Sequence, residues 1–344
     1  MPAEAPAPDA RPVTRVVSGI QPTGNLHLGN YLGAIKRWVQ MQDEAECLFF
    51  LADLHAITVF NDPAELAANV REMAAALIAC GIDEAKSVLF NHARVPAHPE
   101  MAWILNCTAR IGWLNRMTQF KDKAGKNREG SSVGLYAYPV LQAADVLLYQ
   151  ASHVPVGEDQ KQHIELIRDI ATKFNTDYRE IFALPEPQIA EDGARIMSLR
   201  DGSAKMSKSD PSDMSRINLT DETDLVVQKV RKAKTDAEPL PDKFDDLAGR
   251  PEARNLVTIY SVLADEPAQA VLSRYAGQGF GAFKPALADL LVETMRPIKT
   301  RLDSLREDPA ELDAILERGA DKAAALAKPT LDAAYDAVGL RRRG

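Results

Sequence analysis

The sequence predicts an α/β protein: a doubly wound parallel (Rossmann-like) sheet with a C-terminal helical domain. Three observations predict it. In the first half, short apolar runs alternate with stretches of helical periodicity, and strands separated by helices imply right-handed parallel crossovers. From about Thr220 onward the strand signals fade, and Ala-, Leu- and Glu-rich helical stretches take over. The segments rich in glycine, lysine and other polar residues fall where the strands end, which is where an open parallel sheet binds its ligands.

In chain order, residues 1–12 read as a short disordered extension without the basic-then-apolar order of a leader. Residues 13–202 read as the sheet domain, with an inserted helical segment at about 92–150, and residues 203–344 as a polar lysine loop and the helical domain. Strands are expected at Arg15 to Ile20, Cys47 to Ala52, Ser87 to Phe90 and His153 to Val156. A helix with apolar Tyr31, Ile35 and Val39 is expected to begin near Leu26. The clearest helix has Asp62 as N-cap, Pro63 at its first position, Glu65 three residues after the cap, a stripe of Leu66, Val70, Met73 and Leu77, and Gly81 as its stop. Another follows Gly157 to Gln160 with the stripe Leu166, Ile170 and Phe174. In the second half, Asp224 to Lys234, Ala253 to Leu263 and Ala286 to Leu305 read as helices, and Thr235 to Pro251 as a loop between them.

Composition excludes several classes. The net charge of −8 argues against a wholesale cationic nucleic-acid binder. No apolar run approaches the ~18 residues that span a bilayer, so a soluble cytoplasmic protein is expected, with neither membrane nor DNA as partner. Cys47, Cys80 and Cys107 are too few and too scattered for a disulfide framework or a C-x-x-C metal site, and the six histidines form no H-x-x-x-H pair, so no protein-held metal is expected. Two decoys are set aside. Gly277, Gly279 and Gly281 lack the strand before and helix after that a dinucleotide fingerprint needs, and Ala124 to Asn127 lacks the upstream glycine of a P-loop.

The residues that could carry chemistry cluster in four places. After the first strand, Pro22 to Gly24 make a tight turn; His27 and Asn30 then share one face of the first helical turn, whose free N–H groups suit phosphate, and Gly29 leaves room for a nucleotide against the backbone. Lys205, Met206, Ser207, Lys208 and Ser209 lie in a Ser-, Asp- and Gly-rich loop, where two ammonium groups can close on a triphosphate. Gly157, Glu158, Asp159 and Gln160 open a helix, where carboxylates favour the dipole or can accept ribose hydroxyls. Asp145 is a lone carboxylate in the apolar stretch Pro139 to Tyr149, and Tyr138, Gln142 and Asp145 recur at helical spacing so as to face one cavity. An indole N–H, which only donates, would satisfy that acceptor; the alternative is an ion pair with an internal arginine. If the pocket is a ligand site, removing the carboxylate strands no internal donor and folding is spared.

With these motifs the chain resembles the class I aminoacyl-tRNA synthetases, whose signatures are a Pro-x-x-x-x-His-x-Gly-His-like turn and a Lys-Met-Ser-Lys-Ser loop. SGIQPTGNLHLGNYLGA, RMTQFKDK, YPVLQAADVLLYQ, VPVGEDQKQH and ARIMSL narrow the resemblance to the tryptophanyl branch of bacterial type, over nearly the whole chain. Asn30 stands where the general motif has a second histidine, as that branch has it. The resemblance implies ATP and Mg2+ as cofactors, tryptophan and tryptophan tRNA as partners, and a homodimer. It implies ATP contacts from Gln21, Pro22, Thr23, Gly29, Asn30, Gly157, Glu158, Asp159, Ile196 and Lys205 to Ser209, with Lys205, Lys208, His27 and Asn30 catalytic. Ile196, at the end of the last strand, is expected to pack beside the adenine. Gln160, Tyr138, Gly19 and His55 are implied to complete a tryptophan pocket around Asp145 and Gln142.

Six basic residues, Arg110, Arg116, Lys121, Lys123, Lys126 and Arg128, stand against one acid, Asp122, and form a candidate acceptor-stem contact. Lys229, Arg231, Lys232 and Lys234 read as a second patch in the helical domain, which is expected on the anticodon side, and Arg341 to Arg343 as a solubilising end. The apolar helices around Met101 to Trp113 are expected interface material. The rival readings are the tyrosyl branch, and a nucleotide- or RNA-binding relative that has lost catalysis.

Overall fold

The computed structural model describes residues 14–118, 130–157, 160–189 and 195–341. Five parallel strands run in the order β3-β2-β1-β4-β5, with β1 Arg15–Ile20, β2 Glu46–Leu51, β3 Ser87–Asn91, β4 His153–Val156 and β5 Glu186–Ile189. The first four lie within one residue of the apolar runs. β5 is unforeseen, because Glu186 and Pro187 look like turn residues; it is an edge strand, where a proline N–H is not missed. The strand order reverses at β1, so the switch point, where such sheets bind ligands, lies between β1 and β4.

Alternation along β2 sends Cys47, Phe49 and Leu51 into one apolar cluster and Leu48 and Phe50 into another, on the two faces of the sheet. Over the first face lies a continuous helix that begins as α1 Leu28–Asn30, passes through a π-helical turn Tyr31–Ile35 and ends as α2 Lys36–Met41. It starts two residues later than expected because His27 is its N-cap. After β2 comes the short α3 Asp53–Ala56, and then α4 Pro63–Ala79. At the start of α4, Asp62 accepts from the Ala64 and Glu65 N–H groups at 2.9 and 3.1 Å; at its end Gly81 takes φ +114°. The second face is covered by α5 Ala97–Asn106 with the short α6 Ile111–Leu114, by α7 Val133–Leu147 and by α8 Lys161–Asp177.

Four helices follow the lysine loop: α9 Thr223–Lys232, α10 Pro251–Ala264, α11 Ala268–Tyr275 and α12 Phe280–Arg306. The three-glycine segment turns between α11 and α12; a helix does follow it, contrary to expectation, but a helix rather than a strand precedes it. The last helix, α13 Pro309–Ala337, returns to the sheet. Its Leu312, Ile315 and Leu316 join the first cluster, and Ala320, Ala323, Ala327 and Leu331 the second. Between them a Cβ on Gly319 would stand 1.8 Å from the Leu89 carbonyl oxygen, so only glycine lets the helix backbone lie on β3. Among the described residues no helix is long and apolar enough to cross a membrane.

Candidate active site

β1 delivers Gln21 and Pro22 to the switch point. The Thr23 N–H donates to the Gln21 carbonyl at 2.8 Å and Gly24 takes φ +77°, which makes the turn tight. The His27 N–H donates to Asn30 Oδ1 at 3.1 Å, so Asn30 reaches back to cap the helix and has Nδ2 to present outward. The His27 ring is buried. Burial first, then the charges of Arg216, Lys208 and Lys205, push its pKa down to about 4, so it is neutral at pH 7 and can act only through hydrogen bonds.

The lysine loop stands against this turn. Ile196 does not end a strand as expected: β5 stops at Ile189, and Ile196 lies in a short antiparallel hairpin where its carbonyl accepts the Met206 N–H at 3.0 Å and Met197 pairs with Lys205. Asn255 on α10 fixes that hairpin, donating to the Met197 carbonyl at 2.9 Å and accepting its N–H at 2.8 Å. A Cβ on Gly29 would stand 3.1 Å from the His27 ring, a tight fit, and 3.4 Å from Met206 Cβ, at ordinary contact, so the two motifs lie side by side here. Lys205 is exposed, the Ser207 and Ser209 hydroxyls bond each other at 2.8 Å, and Lys208 Nζ donates to Thr23 Oγ1 at 2.6 Å. Burial lowers the Lys208 pKa. The chain then returns past the turn: the Leu28 N–H donates to the Ile217 carbonyl at 2.8 Å, and the Leu219 N–H to the Leu26 carbonyl at 3.0 Å. Arg216 holds the end of the loop through the Asp210 carbonyl at 3.0 Å.

A second group of side chains gathers beside β1 on the other face. A Cβ on Gly19 would stand 2.4 Å from the Phe50 ring, so this glycine is needed for the ring to lie across β1. The Phe50 ring lies 5.2 Å from that of His92 and 6.1 Å from that of His98. Asp145, fully buried on α7, meets these rings: Oδ2 lies 2.8 Å from His55 Nε2, and Oδ1 lies 2.8 Å from His98 Nδ1 and 2.6 Å from His92 Nε2. The His92 contact is close in charge but poorly aligned as a hydrogen bond, and both His92 nitrogens lack a well-directed partner. Burial would raise the Asp145 carboxyl, but the electrostatic pull of His92, 2.6 Å away, and the hydrogen bonds from His55 and His98 hold it well below the usual carboxylate range. The expected alternative, an arginine partner, is replaced by histidines. The expectation that its removal strands no donor is also overturned, since three buried imidazoles face it.

Tyr138 sits edge-on to His55 at 6.1 Å, and its hydroxyl lies 2.9 Å from His163 Nε2. Gln142 is half-buried one turn before Asp145, and Gln160 caps α8 with its N–H on the Gly157 carbonyl at 2.9 Å. Glu158 and Asp159 lie outside the described residues. His55, His92 and Asp145 offer ligand atoms within 4.8 Å of one another, the one such group among the described residues. Their 2.6 to 2.8 Å contacts are hydrogen-bond lengths, shorter than the ~3.3 Å between ligands of a tetrahedral ion at ~2.05 Å. His92 and His98 escaped the sequence reading, although they follow the carboxyl end of β3, where chemistry is sought. Asp53 sets that end in place, accepting from Asn91 Nδ2 and the Ala93 N–H at 2.8 Å each.

The second basic patch loses one member, Lys229, to the interior. Lys229 is fully buried and binds Asp221 and Asp213 at 2.6 and 2.7 Å, while Arg231, Lys232 and Lys234 are exposed, Lys234 pairing with Glu252 at 2.6 Å. Asp221 in turn accepts the Asn218 N–H at 2.9 Å, so Lys229 braces the segment that pairs with the His27 turn. Of the first run, Arg110 and Arg116 are exposed, while Lys121, Lys123, Lys126 and Arg128 lie outside the described residues, as do Arg342 and Arg343.

A glycine-containing helix start and a lysine loop at the switch point of a parallel sheet form the anion-binding arrangement of nucleotide-using α/β enzymes. The family model described as tRNA synthetases class I (W and Y) matches residues 10–296, and the chain belongs to that family. A tryptophan–tRNA ligase of Caulobacter vibrioides is 59% identical over 338 residues, covering 96% of this chain and 98% of that one. The crystal structure of a tryptophanyl-tRNA synthetase from Campylobacter jejuni, complexed with ADP and tryptophan, is 36% identical with a TM-score of 0.80, covering 95% of this chain and all of that one. A tyrosyl-tRNA synthetase of Archaeoglobus fulgidus, at 22% identity and a TM-score of 0.65 over 85% of this chain and 91% of its own, shares the fold alone.

Proposed function

We infer that the chain activates L-tryptophan with ATP to tryptophanyl-adenylate and pyrophosphate, and then attaches tryptophan to tryptophan tRNA. The observation that carries this reading is the junction of the Pro22–Asn30 turn with the Lys205–Ser209 loop, through Lys208–Thr23 and the pairing at Ile217 and Leu219, on the same β1 that leads to the Asp145 pocket. In the first step one carboxylate oxygen of the amino acid bonds to the α-phosphorus as the bond from that phosphorus to the oxygen of pyrophosphate breaks. No proton moves. The step therefore needs position and positive charge above all. Lys205 and Lys208 supply the charge, Lys208 leaving Thr23 for the phosphates, while neutral His27 and Asn30 hydrogen-bond phosphate oxygens. Gln21, Pro22 and Gly29 seat the nucleotide, Gly157 with Glu158 and Asp159 takes the ribose, and Ile196 lies by the adenine. Mg2+ enters with ATP, held by phosphates and water. Asp145 accepts the indole N–H, with Gly19, His55, Tyr138, Gln142 and Gln160 around the ring.

For the second step, the Arg110–Arg128 run meets the acceptor stem and exposed Arg231 and Lys232 face the anticodon side. Residues 13–202 carry the site together with the Lys205–Ser209 loop that opens the unit of residues 203–344, and of the later helices α9 to α12 form the tRNA-facing part. The enzyme acts as a homodimer in the cytoplasm, with exposed Trp103 and Ile111 as interface residues. Tryptophan-dependent ATP–pyrophosphate exchange tests the reading. Lys205→Ala and Lys208→Ala each slow single-turnover adenylate formation by about 10²- to 10³-fold with little change in tryptophan affinity. Exchange supported equally by tyrosine, or a loss confined to tryptophan affinity, would refute it.

A further inference from the structure

Behind Asp145 stands a pair of buried groups that touches neither proposed substrate. His98 Nδ1 lies 2.8 Å from Asp145 Oδ1, and His98 Nε2 lies 2.8 Å from the hydroxyl of Tyr149, one turn after Asp145 on the same stretch of chain. Both side chains are fully buried. We propose that Tyr149 and His98 form a positioning relay that sets which oxygen of Asp145 reads the indole N–H, and that they are specificity-determining residues for tryptophan; this rests on the assignment of Asp145 to the indole.

The chemistry follows from counting protons. Burial, with the Asp145 charge beside it, raises the Tyr149 phenol, so it keeps its proton and donates. His98 is pushed to about 4, by burial and then by His92, against the opposing bond from Asp145, so at neutral pH its ring carries one N–H. Because Tyr149 donates to Nε2, that one proton sits on Nδ1 and points at Asp145 Oδ1. With the phenol O–H gone, Nε2 loses its donor and the Nδ1–H bond to Asp145 loses the polarisation that the phenol lends it. An ionised carboxylate has about four acceptor lobes. His98 and His92 crowd Oδ1, whereas Oδ2 meets His55 alone among these imidazoles, so Oδ2 is the oxygen left with capacity for a donor-only indole.

The test compares exchange kinetics for tryptophan with those for the analogue whose ring nitrogen is replaced by sulfur, and reads the ratio of their kcat/KM values. Tyr149→Phe removes one oxygen and keeps the ring that packs on Phe90 and His98. It is expected to lower the tryptophan-to-analogue ratio by about three- to tenfold, the range of one net hydrogen bond, with the KM for ATP unchanged. His98→Asn, whose amide keeps a donor near Nδ1 and has no tautomer, is expected to retain the ratio, and adding Tyr149→Phe to it to change nothing further. An unchanged ratio in Tyr149→Phe, or the same loss in the His98→Asn background, overturns the relay. Asp145→Ala separates the two ideas: if it collapses the ratio while Tyr149→Phe does not, the indole assignment stands and the relay falls; if it leaves the ratio intact, both fall.

Discussion

Two buried charges support the site, and they are mirror images. Asp145 is a carboxylate ringed by imidazoles, and Lys229 is an ammonium held between carboxylates. Asp145 faces the proposed amino-acid pocket, and its partners are imidazoles from three separate segments. Lys229 sits behind the return segment between Asp221 and Asp213, and its bond is the leading reason that the Asp213 carboxyl lies below its usual value. The difference teaches that the charge facing the proposed pocket is held by rings that pack as well as bond, and the one serving architecture by carboxylates that tie it to a single chain segment.

The comparison is broken most directly at Lys229. Lys229→Met leaves two carboxylates facing each other, one of them buried, and is expected to cost about 3 to 5 kcal/mol in urea unfolding, as breaking a buried pair does. A loss below 1 kcal/mol would mean that the brace carries no weight. Asp145→Ala comes next: with three imidazoles left facing an apolar gap, stability falls by about 1 to 3 kcal/mol, as leaving buried polar groups unsatisfied does. Unchanged thermal unfolding would remove the histidines from the network.

The third measurement is pH. The folded pKa of His98 lies below that of the free imidazole, so the unfolded chain binds its proton first; stability is full above about 6.5 and declines toward pH 4, with a slope of about 1.4 kcal/mol per pH unit from this residue. His27 adds the same sense of change. Asp145 and Asp213, both lowered, keep their contributions until the pH falls below the ordinary carboxylate range. His98→Asn should therefore flatten the pH 6.5 to 4 decline, and an equally steep profile would count against the neutral ring. The smallest effect sharpens the contrast along α9 itself: Lys232→Ala, three residues from Lys229 but exposed, is expected to shift stability by no more than about 0.5 kcal/mol.

These contrasts also mark what could be read from the chain. Four strands, the Asp62 cap, the two ATP-type motifs and the oddity of Asp145 are local facts, fixed by period-2 and period-3.6 patterns and by the rarity of a lone charge in an apolar run. β5 escaped because Pro187 speaks against a strand until one knows that it lies at an edge. Lys229 escaped because neighbouring lysines and an arginine make any lysine look solvated, and only the carboxylates brought up from residues 213 and 221 reveal a partner.

The sequence by itself determined the alternating sheet, where its strands end and which residue types gather there, because backbone propensity and hydrophobic period act within a few residues. Only the tertiary structure decided that α13 returns to lie on β3, that Thr23 meets Lys208 across 185 residues, and that three histidines from separate segments converge on one carboxylate. Such contacts are chosen by packing and by the need to satisfy buried charge, and both depend on which distant segments the folded sheet brings within a few ångströms.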